Sequence, residues 1–251
     1  MTRNCLPQQL VAALAARPTT VALTGAGISA ESGVRTFRDA QTGLWTRYRP
    51  EQLASPDAFE RDPRLVWRWY QWRRRTIAAA EPNAGHRALV ELEKALDSFT
   101  LITQNVDGLH RRAGSRNVIH LHGDLCSNRC QRCAAPSAHE DNETVRPPRC
   151  TRCGGLMRPA VVWFGEPLPA SALSAAAERI AGAELVLVIG TSAQVYPAAA
   201  LAEQAVAQGS MVAEINPART PLSAKVRWRL DLAAAEALPR LAAVPRRPSA
   251  R

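Results

Sequence analysis

The chain has 251 residues, a hydrophobic fraction of 46% and a formal net charge of +10. This length suits one large domain with a small insertion, and no apolar run approaches the ~18 residues of a membrane span. The first ten residues lack the apolar core of a secretory signal, so we expect a cytoplasmic protein without membrane contact, whose six cysteines stay reduced.

Arginine carries almost all of the positive charge, because lysine occurs only at positions 94 and 225. Such a charge favours acidic partners, but the arginines are scattered along the chain, so we expect no specific nucleic-acid site. Residues 245–251 combine Pro, Ser and Arg and are predicted to be a disordered tail. The sequence has no heptad pattern, and we expect a monomer.

The first predicted elements are a helix over residues 6–16 and a buried strand at residues 21–23. The strand ends in Gly-Ala-Gly at 25–27, and Ala30 completes a G-x-G-x-x-A pattern, which lets a phosphate approach the backbone. Alone this pattern is weak, and a plain strand–turn–helix is a competing interpretation. A dehydrogenase would need a second strand ending in an acid about 20 residues later. Residues 35–45 instead indicate a long loop over a bound nucleotide.

The remaining elements alternate between helix and strand. Helical spacing covers residues 50–80, with breaks at Pro56 and Pro63, and a helix over 83–96 has Asn83 as its N-cap. Further helices are predicted at 169–181, 198–208 and 232–238. Strands are predicted at 98–103, 117–121, 160–163, 184–189, 211–215 and 226–230, and residues 126–157 are interpreted as a loop.

This alternation predicts an α/β fold, with a Rossmann-like parallel sheet covered by helices on both faces, plus a helical insert. Polar residues follow five strands, at 25–27, 104–107, 120–123, 190–192 and 216. Because the carboxyl ends of parallel strands meet at one edge of the sheet, we expect one ligand crevice there.

Two Cys-x-x-Cys pairs, Cys130 with Cys133 and Cys150 with Cys153, are separated by 16 residues. This spacing predicts a small module with one four-thiolate zinc ion, and a closed tetrahedral shell makes the zinc structural. Two disulfides or unpaired thiols are the less favoured alternative. Cys5 and Cys126 fall outside the pattern and are expected to be ordinary small apolar residues.

With these pieces in place, the chain resembles the sirtuins, a family of NAD-dependent protein-lysine deacylases. The resemblance spans about residues 20–240 and rests on several ordered motifs. They are Gly-Ala-Gly-Ile-Ser-Ala-Glu-Ser-Gly at 25–33, Thr-Phe-Arg at 36–38, Thr-Gln-Asn-Val-Asp-Gly-Leu-His at 103–110, His-Gly at 122–123, the paired cysteines, Val-Val-Trp-Phe-Gly-Glu at 161–166, Gly-Thr-Ser at 190–192 and Asn216.

The resemblance implies a single catalytic domain over residues 1–251. Its Rossmann-like part covers about 5–34, 84–122 and 160–244, its helical insert about 35–83, and its zinc module about 123–159.

The resemblance also implies the chemistry, in which NAD is consumed as a co-substrate. The acyl oxygen of a modified protein lysine attacks the ribose and expels nicotinamide, and His122 then acts as general base on a ribose hydroxyl. Water finally releases lysine and 2'-O-acyl-ADP-ribose. Asn105 and Asp107 would orient the nicotinamide and its ribose, although Asp107 could be only a helix cap. His86, His110 and His120 are expected to be structural.

The residues that the resemblance assigns to NAD come from all the strand-end motifs. They are Gly25, Ala26, Gly27, Ala30, Glu31, Thr36, Phe37, Arg38, Trp45, Gln104, Asn105, Val106, Asp107, Gly190, Thr191, Ser192, Asn216 and Ala234. The substrate backbone is expected to pair with an edge formed by Val162, Trp163, Phe164, Gly165 and Glu166.

Within the family, the chain resembles the class that removes succinyl and malonyl groups. Tyr70 and Arg73 lie at i and i+3 of a predicted helix, where an arginine fork and a phenol suit a distant carboxylate. Ala40 would leave room for the longer acyl chain. Taken alone, a solvated basic helix with one core aromatic would be the better interpretation of this segment.

The sequence departs from the family pattern in three places. Arg35 stands where many relatives carry Pro, and the stretch 39–43 has one residue more than some relatives. Leu232-Ala233-Ala234 replaces a stretch where Gly is frequent, which puts the role of Ala234 in doubt. Two other hypotheses stay open: mono-ADP-ribosyl transfer, which breaks the same bond, and a zinc-stabilised nucleic-acid-binding module.

Overall fold

Two sheets and ten helices make up the fold, in a computed structural model that describes residues 6–34, 48–138 and 146–244. The strands are β1 (Thr20–Thr24), β2 (Phe99–Thr103), β3 (Val118–His120), β4 (Gly123–Cys130), β5 (Pro136–Ala138), β6 (Met157–Val161), β7 (Leu185–Ile189), β8 (Met211–Ile215) and β9 (Trp228–Leu230). The helices are α1 (Gln8–Ala15), α2 (Gly27–Ala30), α3 (Pro50–Leu53), α4 (Pro56–Arg61), α5 (Pro63–Ala78), α6 (Ala84–Ala95), α7 (Leu109–Ala113), α8 (Ala170–Ala181), α9 (Ala198–Ala207) and α10 (Ala234–Ala242).

The large sheet is parallel throughout and has the strand order β3-β2-β1-β7-β8-β9. β1, β2 and β7 are buried along their whole length, as expected for apolar strands covered on both faces. The chain leaves β1 toward β2 and β3, then continues on the other side through β7. The direction therefore reverses between β1 and β7, which is where open α/β sheets place their ligand crevice.

Helices cover both faces of this sheet, as the sequence predicts. On one face, α1, α6 and α10 pack through Leu10, Leu89 and Leu238. On the other face, α8 and α9 pack through Ile180 and Leu201. The Rossmann-like fold class is thus confirmed.

The helical insert forms a third core around Phe59, Tyr70 and Trp163. The side chain of Ser55 accepts a hydrogen bond at the start of α4, and that of Asp62 does the same for α5. Proline follows each cap at the first helical position, where its missing N–H costs nothing. Pro56 and Pro63 therefore begin helices as well as ending the preceding ones.

The small sheet is antiparallel, with the order β5-β4-β6, and it differs from the sequence-based expectation. The prediction of a loop over 126–157 is wrong for β4 and β5, and the strand predicted at 160–163 is β6, which pairs with β4 instead of joining the parallel sheet. β4 contains few apolar side chains, so its sequence lacks the alternation that would reveal it. Within the described residues, no helix is both long and apolar enough to cross a membrane.

Candidate active site

The glycine-rich turn after β1 packs directly against the turn after β7. The backbone N–H of Gly27 donates to the carbonyl oxygen of Gly190 at 2.7 Å. A Cβ on Gly27 would lie 2.7 Å from the Cα of Gly190, and one on Gly25 would lie 2.8 Å from that of Thr191. The glycines are therefore required because two backbones cross here. The helix predicted after this turn, α2, has only four residues.

A buried polar cluster lies beneath this turn and joins it to the end of β2. The hydroxyl of Ser29 donates to Asp107 Oδ2 at 2.7 Å, and the amide nitrogen of Asn105 lies 3.2 Å from both the Gly25 carbonyl oxygen and Ser29 Oγ. Burial raises the pKa of Asp107, against the opposing effect of its hydrogen bonds from Leu109 and Ser29. Ser29 is a site residue that the sequence-based set omits.

Asp107 also supports the start of α7, because its Oδ1 accepts from the backbone N–H of Leu109, the first helical residue, at 2.9 Å. Gly108 occupies the N-cap position and makes no side-chain cap bond, so Asp107 acts from the residue before the cap. The second carboxylate oxygen, bonded to Ser29, faces the polar cluster. One side chain thus serves both the local fold and the crevice.

Two neutral histidines lie next to this polar cluster. His86 forms a capping box with Asn83, and its Nε2 lies 3.4 Å from Ser29 Oγ. His110 Nε2 lies 2.9 Å from the hydroxyl of Thr24, and the two imidazole rings are 4.9 Å apart. Burial lowers the pKa of His86 to about 4 and that of His110 to about 3. Both rings are uncharged at neutral pH, which fits the structural role predicted for them.

His122 stands where the parallel sheet passes into β4, and it is half-buried. Its Nδ1 lies 2.8 Å from the carbonyl oxygen of Gln104. Because a carbonyl oxygen can only accept, Nδ1 carries the proton and Nε2 keeps a free lone pair. Burial lowers the pKa of His122, and the bond to Gln104 opposes that shift. The neutral ring is suited to accept a proton.

Thr191 connects three strand ends across the crevice. Gln104 Nε2 donates to the Thr191 hydroxyl at 3.2 Å, and Asn216 Nδ2 donates to the Thr191 carbonyl oxygen at 2.8 Å. Ser192 follows directly in the same turn and is half-buried, as is Val106 on the β2 side. The ends of β2, β7 and β8 therefore meet as the polar pattern predicts.

Glu31 and Ala234 meet at the start of α10. The Glu31 carboxylate accepts from the backbone N–H of Ala235 at 2.9 Å, so it satisfies one of the free N–H groups of that helix. Ala234 is buried, whereas Ala30 and Glu31 are exposed. The predicted contacts of Thr36, Phe37, Arg38 and Trp45 with NAD, and of Ala40 with the acyl chain, lie outside the described residues.

The predicted substrate edge follows β6, and three of its backbone N–H groups already donate within the fold. The N–H of Val162 donates to the His122 carbonyl oxygen at 2.9 Å, and that of Phe164 donates to the Ala54 carbonyl oxygen at 2.9 Å. The N–H of Trp163 donates to the Glu166 carboxylate at 2.8 Å. Gly165 has φ +87°, and the ring of Phe164 is 45% exposed. The segment therefore presents a fixed rim beside His122.

Tyr70 and Arg73 lie behind this rim, on α5. Tyr70 is only 2% exposed, and burial raises its pKa to about 12, although the charge of Arg73 opposes the shift. Arg73 is half-buried, with its guanidinium 5.2 Å from the centre of the Trp69 ring. Burial also lowers the pKa of Arg73, with Tyr70 and Asp107 opposing that shift. A charged donor and a neutral phenol thus lie one helical turn apart on α5, behind the rim.

The four paired cysteines converge at the end of the small sheet. Their sulfur atoms all lie within 4.8 Å of one another, and the shortest pairs are Cys130 to Cys153 at 3.4 Å and Cys133 to Cys150 at 3.7 Å. A disulfide would need ~2.05 Å, whereas tetrahedral zinc with Zn–S bonds of ~2.3 Å separates its sulfurs by about 3.8 Å. The four cysteines are therefore positioned to bind a zinc ion, and the disulfide alternative fails.

Comparisons with known proteins agree with this geometry. The model of the Sir2 family matches residues 25–197. The NAD-dependent protein deacylase of Aquifex aeolicus is 52% identical over 204 residues, which cover 81% of this chain and 85% of that protein. NAD-dependent protein deacylase 1 of Archaeoglobus fulgidus is 48% identical over 237 residues, which cover 94% and 96%.

The fold comparison gives the same answer. The crystal structure of a Sir2 homolog in complex with NAD superposes with a TM-score of 0.91 at 45% identity, covering 96% of this chain and 94% of that one. Both the family match and these identities extend over most of the chain. The chain therefore belongs to the Sir2 family.

Proposed function

We propose that this protein is an NAD-dependent protein-lysine deacylase that removes succinyl and malonyl groups and also accepts acetyl groups. The products would be free lysine, nicotinamide and 2'-O-acyl-ADP-ribose. The observation that carries the proposal is the bond from His122 Nδ1 to the Gln104 carbonyl oxygen at 2.8 Å. It leaves Nε2 as a base beside both the crevice and the substrate rim.

The crevice at the β1–β7 switch suits a dinucleotide. The N–H groups of Gly25 and Gly27 already donate to the carbonyl oxygens of Ile189 and Gly190. The turn at 25–27 nevertheless carries no side chain larger than a methyl group, so a pyrophosphate can approach its backbone closely. Asn105 and Asp107 would hold the nicotinamide and its ribose, while Thr191 and Asn216 would hold the adenosine. When bound, NAD supplies a ribose carbon whose bond to a positively charged nicotinamide can break.

His122 would remove a proton from a ribose hydroxyl presented to Nε2. A lowered pKa keeps the ring neutral at physiological pH, so the base is ready without prior deprotonation. The Gln104 carbonyl would then stabilise the imidazolium that forms, because it already accepts from Nδ1. The polar cluster around Asp107 would orient the reacting sugar.

The acyl preference rests on Tyr70 and Arg73. A half-buried guanidinium behind the substrate rim can pair with the far carboxylate of a succinyl or malonyl group. The high pKa of Tyr70 keeps its phenol protonated as a hydrogen-bond donor. An acetyl group has no carboxylate to meet either residue, so it would gain nothing from them.

The proposal also covers the protein substrates, the oligomeric state and the cellular compartment. Substrates would be proteins with acylated lysines, which an extended peptide would present along the rim at 162–166. We propose a monomer that acts in the cytoplasm, where the four zinc thiolates would not be oxidised.

The test is a panel of one peptide carrying acetyl-, malonyl-, succinyl- or glutaryl-lysine, incubated with and without NAD. We expect nicotinamide release and deacylation in equal amounts, with a higher kcat/KM for succinyl and malonyl than for acetyl. Deacylation without NAD, or no nicotinamide release with any acyl group, would contradict the activity. Equal kcat/KM values would contradict only the acyl preference.

A further inference from the structure

The Tyr70 hydroxyl receives a hydrogen bond, and this fixes what its own proton can do. The indole Nε1 of Trp163 lies 2.8 Å from the Tyr70 oxygen, and it is the one hydrogen-bond partner of that hydroxyl within residues 6–34, 48–138 and 146–244. An indole nitrogen can only donate, so the phenol oxygen is the acceptor. The phenol proton is therefore left to donate elsewhere.

A buried hydroxyl proton without an acceptor is unfavourable. Tyr70 is 2% exposed, so bulk water does not supply one. The high pKa of about 12 means that the phenol keeps this proton. Arg73, one helical turn along α5, adds a positive charge near Tyr70, which opposes the rise in the Tyr70 pKa. The phenol proton therefore suits a negatively charged acceptor.

Trp163 is itself held in place by a buried ion pair. The guanidinium of Arg158 lies 3.2 Å from the centre of the indole ring. Its two terminal nitrogens donate to the Glu166 carboxylate at 2.5 Å and 2.9 Å, and the same carboxylate accepts from the Trp163 backbone N–H at 2.8 Å. The Arg158 side chain is only 1% exposed and that of Glu166 is 17% exposed, so the arginine end of this clamp is shielded from solvent. The indole therefore cannot turn away from Tyr70 without breaking the clamp.

We propose that Trp163 is a positioning residue that sets the acyl preference, by occupying the acceptor side of the Tyr70 hydroxyl so that the phenol proton is presented to the acyl carboxylate. This inference rests on the proposed function, and it assigns the preference to three residues instead of two. Without the indole N–H, the phenol could rotate and lose its fixed donor direction. Succinyl-lysine would then bind less well, whereas acetyl-lysine makes no such bond.

The test compares Trp163→Phe with Trp69→Phe. Trp69 is equally buried and packs edge-on against Tyr70 with ring centres 4.6 Å apart, but its Nε1 has no hydrogen-bond partner in the described part of the chain. Both variants remove one indole N–H from the same core, and both keep an aromatic ring. The readout is the ratio of succinyl to acetyl kcat/KM, in which general damage to the enzyme cancels.

We expect Trp163→Phe to lower this ratio at least fivefold through a higher KM for succinyl-lysine, and Trp69→Phe to change it less than twofold. In a Tyr70→Phe background, Trp163→Phe should have no further effect on the ratio, because the indole acts through that hydroxyl. A wild-type preference that survives Trp163→Phe would overturn the inference and leave the proposed function intact. A wild-type enzyme without the preference would overturn the proposed acyl specificity, and the inference with it.

Discussion

The imidazole Nδ1 of His122 donates to the carbonyl oxygen of Gln104 at 2.8 Å, and the side chain of Gln104 donates in turn to Thr191 at 3.2 Å. His122, the proposed base, and the crevice are therefore joined through one residue after the end of β2. Movement of the β2 turn would displace both together. The position of His122 is thus set by the parallel sheet, although the residue itself precedes the small sheet.

His122→Asn should abolish deacylation. The asparagine amide can still donate to the Gln104 carbonyl oxygen, so the fold is retained, but no basic nitrogen remains. General-base catalysis contributes typically ~10²- to 10⁴-fold, and we expect a fall in kcat of that size, measured as steady-state formation of the deacylated peptide because His122 acts after nicotinamide has left. Zinc content and Tm should match the wild type. His120→Asn is the control. If it lowers kcat as much as His122→Asn does, loss of either imidazole acts through the fold, and His122 is not shown to be the base.

The pH profile of kcat/KM should have its acid limb below pH 6.5. The lowered pKa of His122 means that the ring becomes protonated, and loses its base function, only below the ordinary histidine value of 6.5. Activity should therefore be constant through neutral pH and fall as the solution becomes more acidic. The profile of kcat/KM reports the free enzyme. An acid limb centred above pH 7 would show that another group is the base or that burial does not govern this ring.

Much of the parallel sheet can be predicted from sequence because most of its strands are short, mainly apolar runs followed by polar residues. β8, for example, is predicted at 211–215 and observed at Met211–Ile215. The small sheet cannot be predicted in this way. β4 contains Asp124, Asn128 and Arg129 among its eight residues, and its partners are fixed by pairing and by the cysteine cluster, neither of which leaves a local pattern.

The site residues likewise divide into those that sequence motifs predict and those that only long-range contacts reveal. Motif residues such as Gln104 and Asn216 do meet in the crevice, because strand ends bring them there. Ser29 lies within a glycine-rich motif that signals a turn, but its bond to Asp107 spans 78 residues of sequence. Arg158 reads as an isolated charge in an apolar strand, and only the folded chain shows it clamped between Glu166 and the Trp163 ring.

Arg73→Met should weaken desuccinylation far more than deacetylation. Methionine keeps the apolar stem and removes the fork that would hold the carboxylate, and a charge-assisted pair of this kind contributes about 1.5–3 kcal/mol. We expect a loss of roughly 10- to 100-fold in kcat/KM for succinyl-lysine peptides. Arg68→Met, at an exposed position of the same helix, controls for the change in net charge. Equal losses for both acyl groups would refute the role of Arg73 in acyl recognition.

Removal of the zinc should inactivate the enzyme, although the metal lies outside the crevice. β4 begins directly after His122 and ends at Cys130, and β6 leads into the substrate rim. Cys153→Ser should lose zinc, lower Tm and reduce nicotinamide release at least roughly tenfold, because metal binding and folding of such modules are coupled. Cys126→Ser is the matched control and should retain the metal. Full activity of a zinc-free protein would show that the two regions are independent.

Gly27→Ala should destabilise the protein, because the new methyl group would lie 2.7 Å from the backbone of Gly190. Neither backbone can give way without separating the turns that form the crevice, and overpacking of this kind costs about 1–3 kcal/mol. In a chain of this size, that corresponds to a fall in Tm of about 2–12 °C. Gly182→Ala is the control, because among the described residues its Cβ would meet only the Glu178 carbonyl oxygen, at an ordinary 3.8 Å. NAD should protect the wild type and the control against thermal unfolding, whereas Gly27→Ala should show a smaller shift. If Gly27→Ala has the same Tm as Gly182→Ala and the same increase in Tm with NAD, the close crossing of the two turns is not what shapes the crevice.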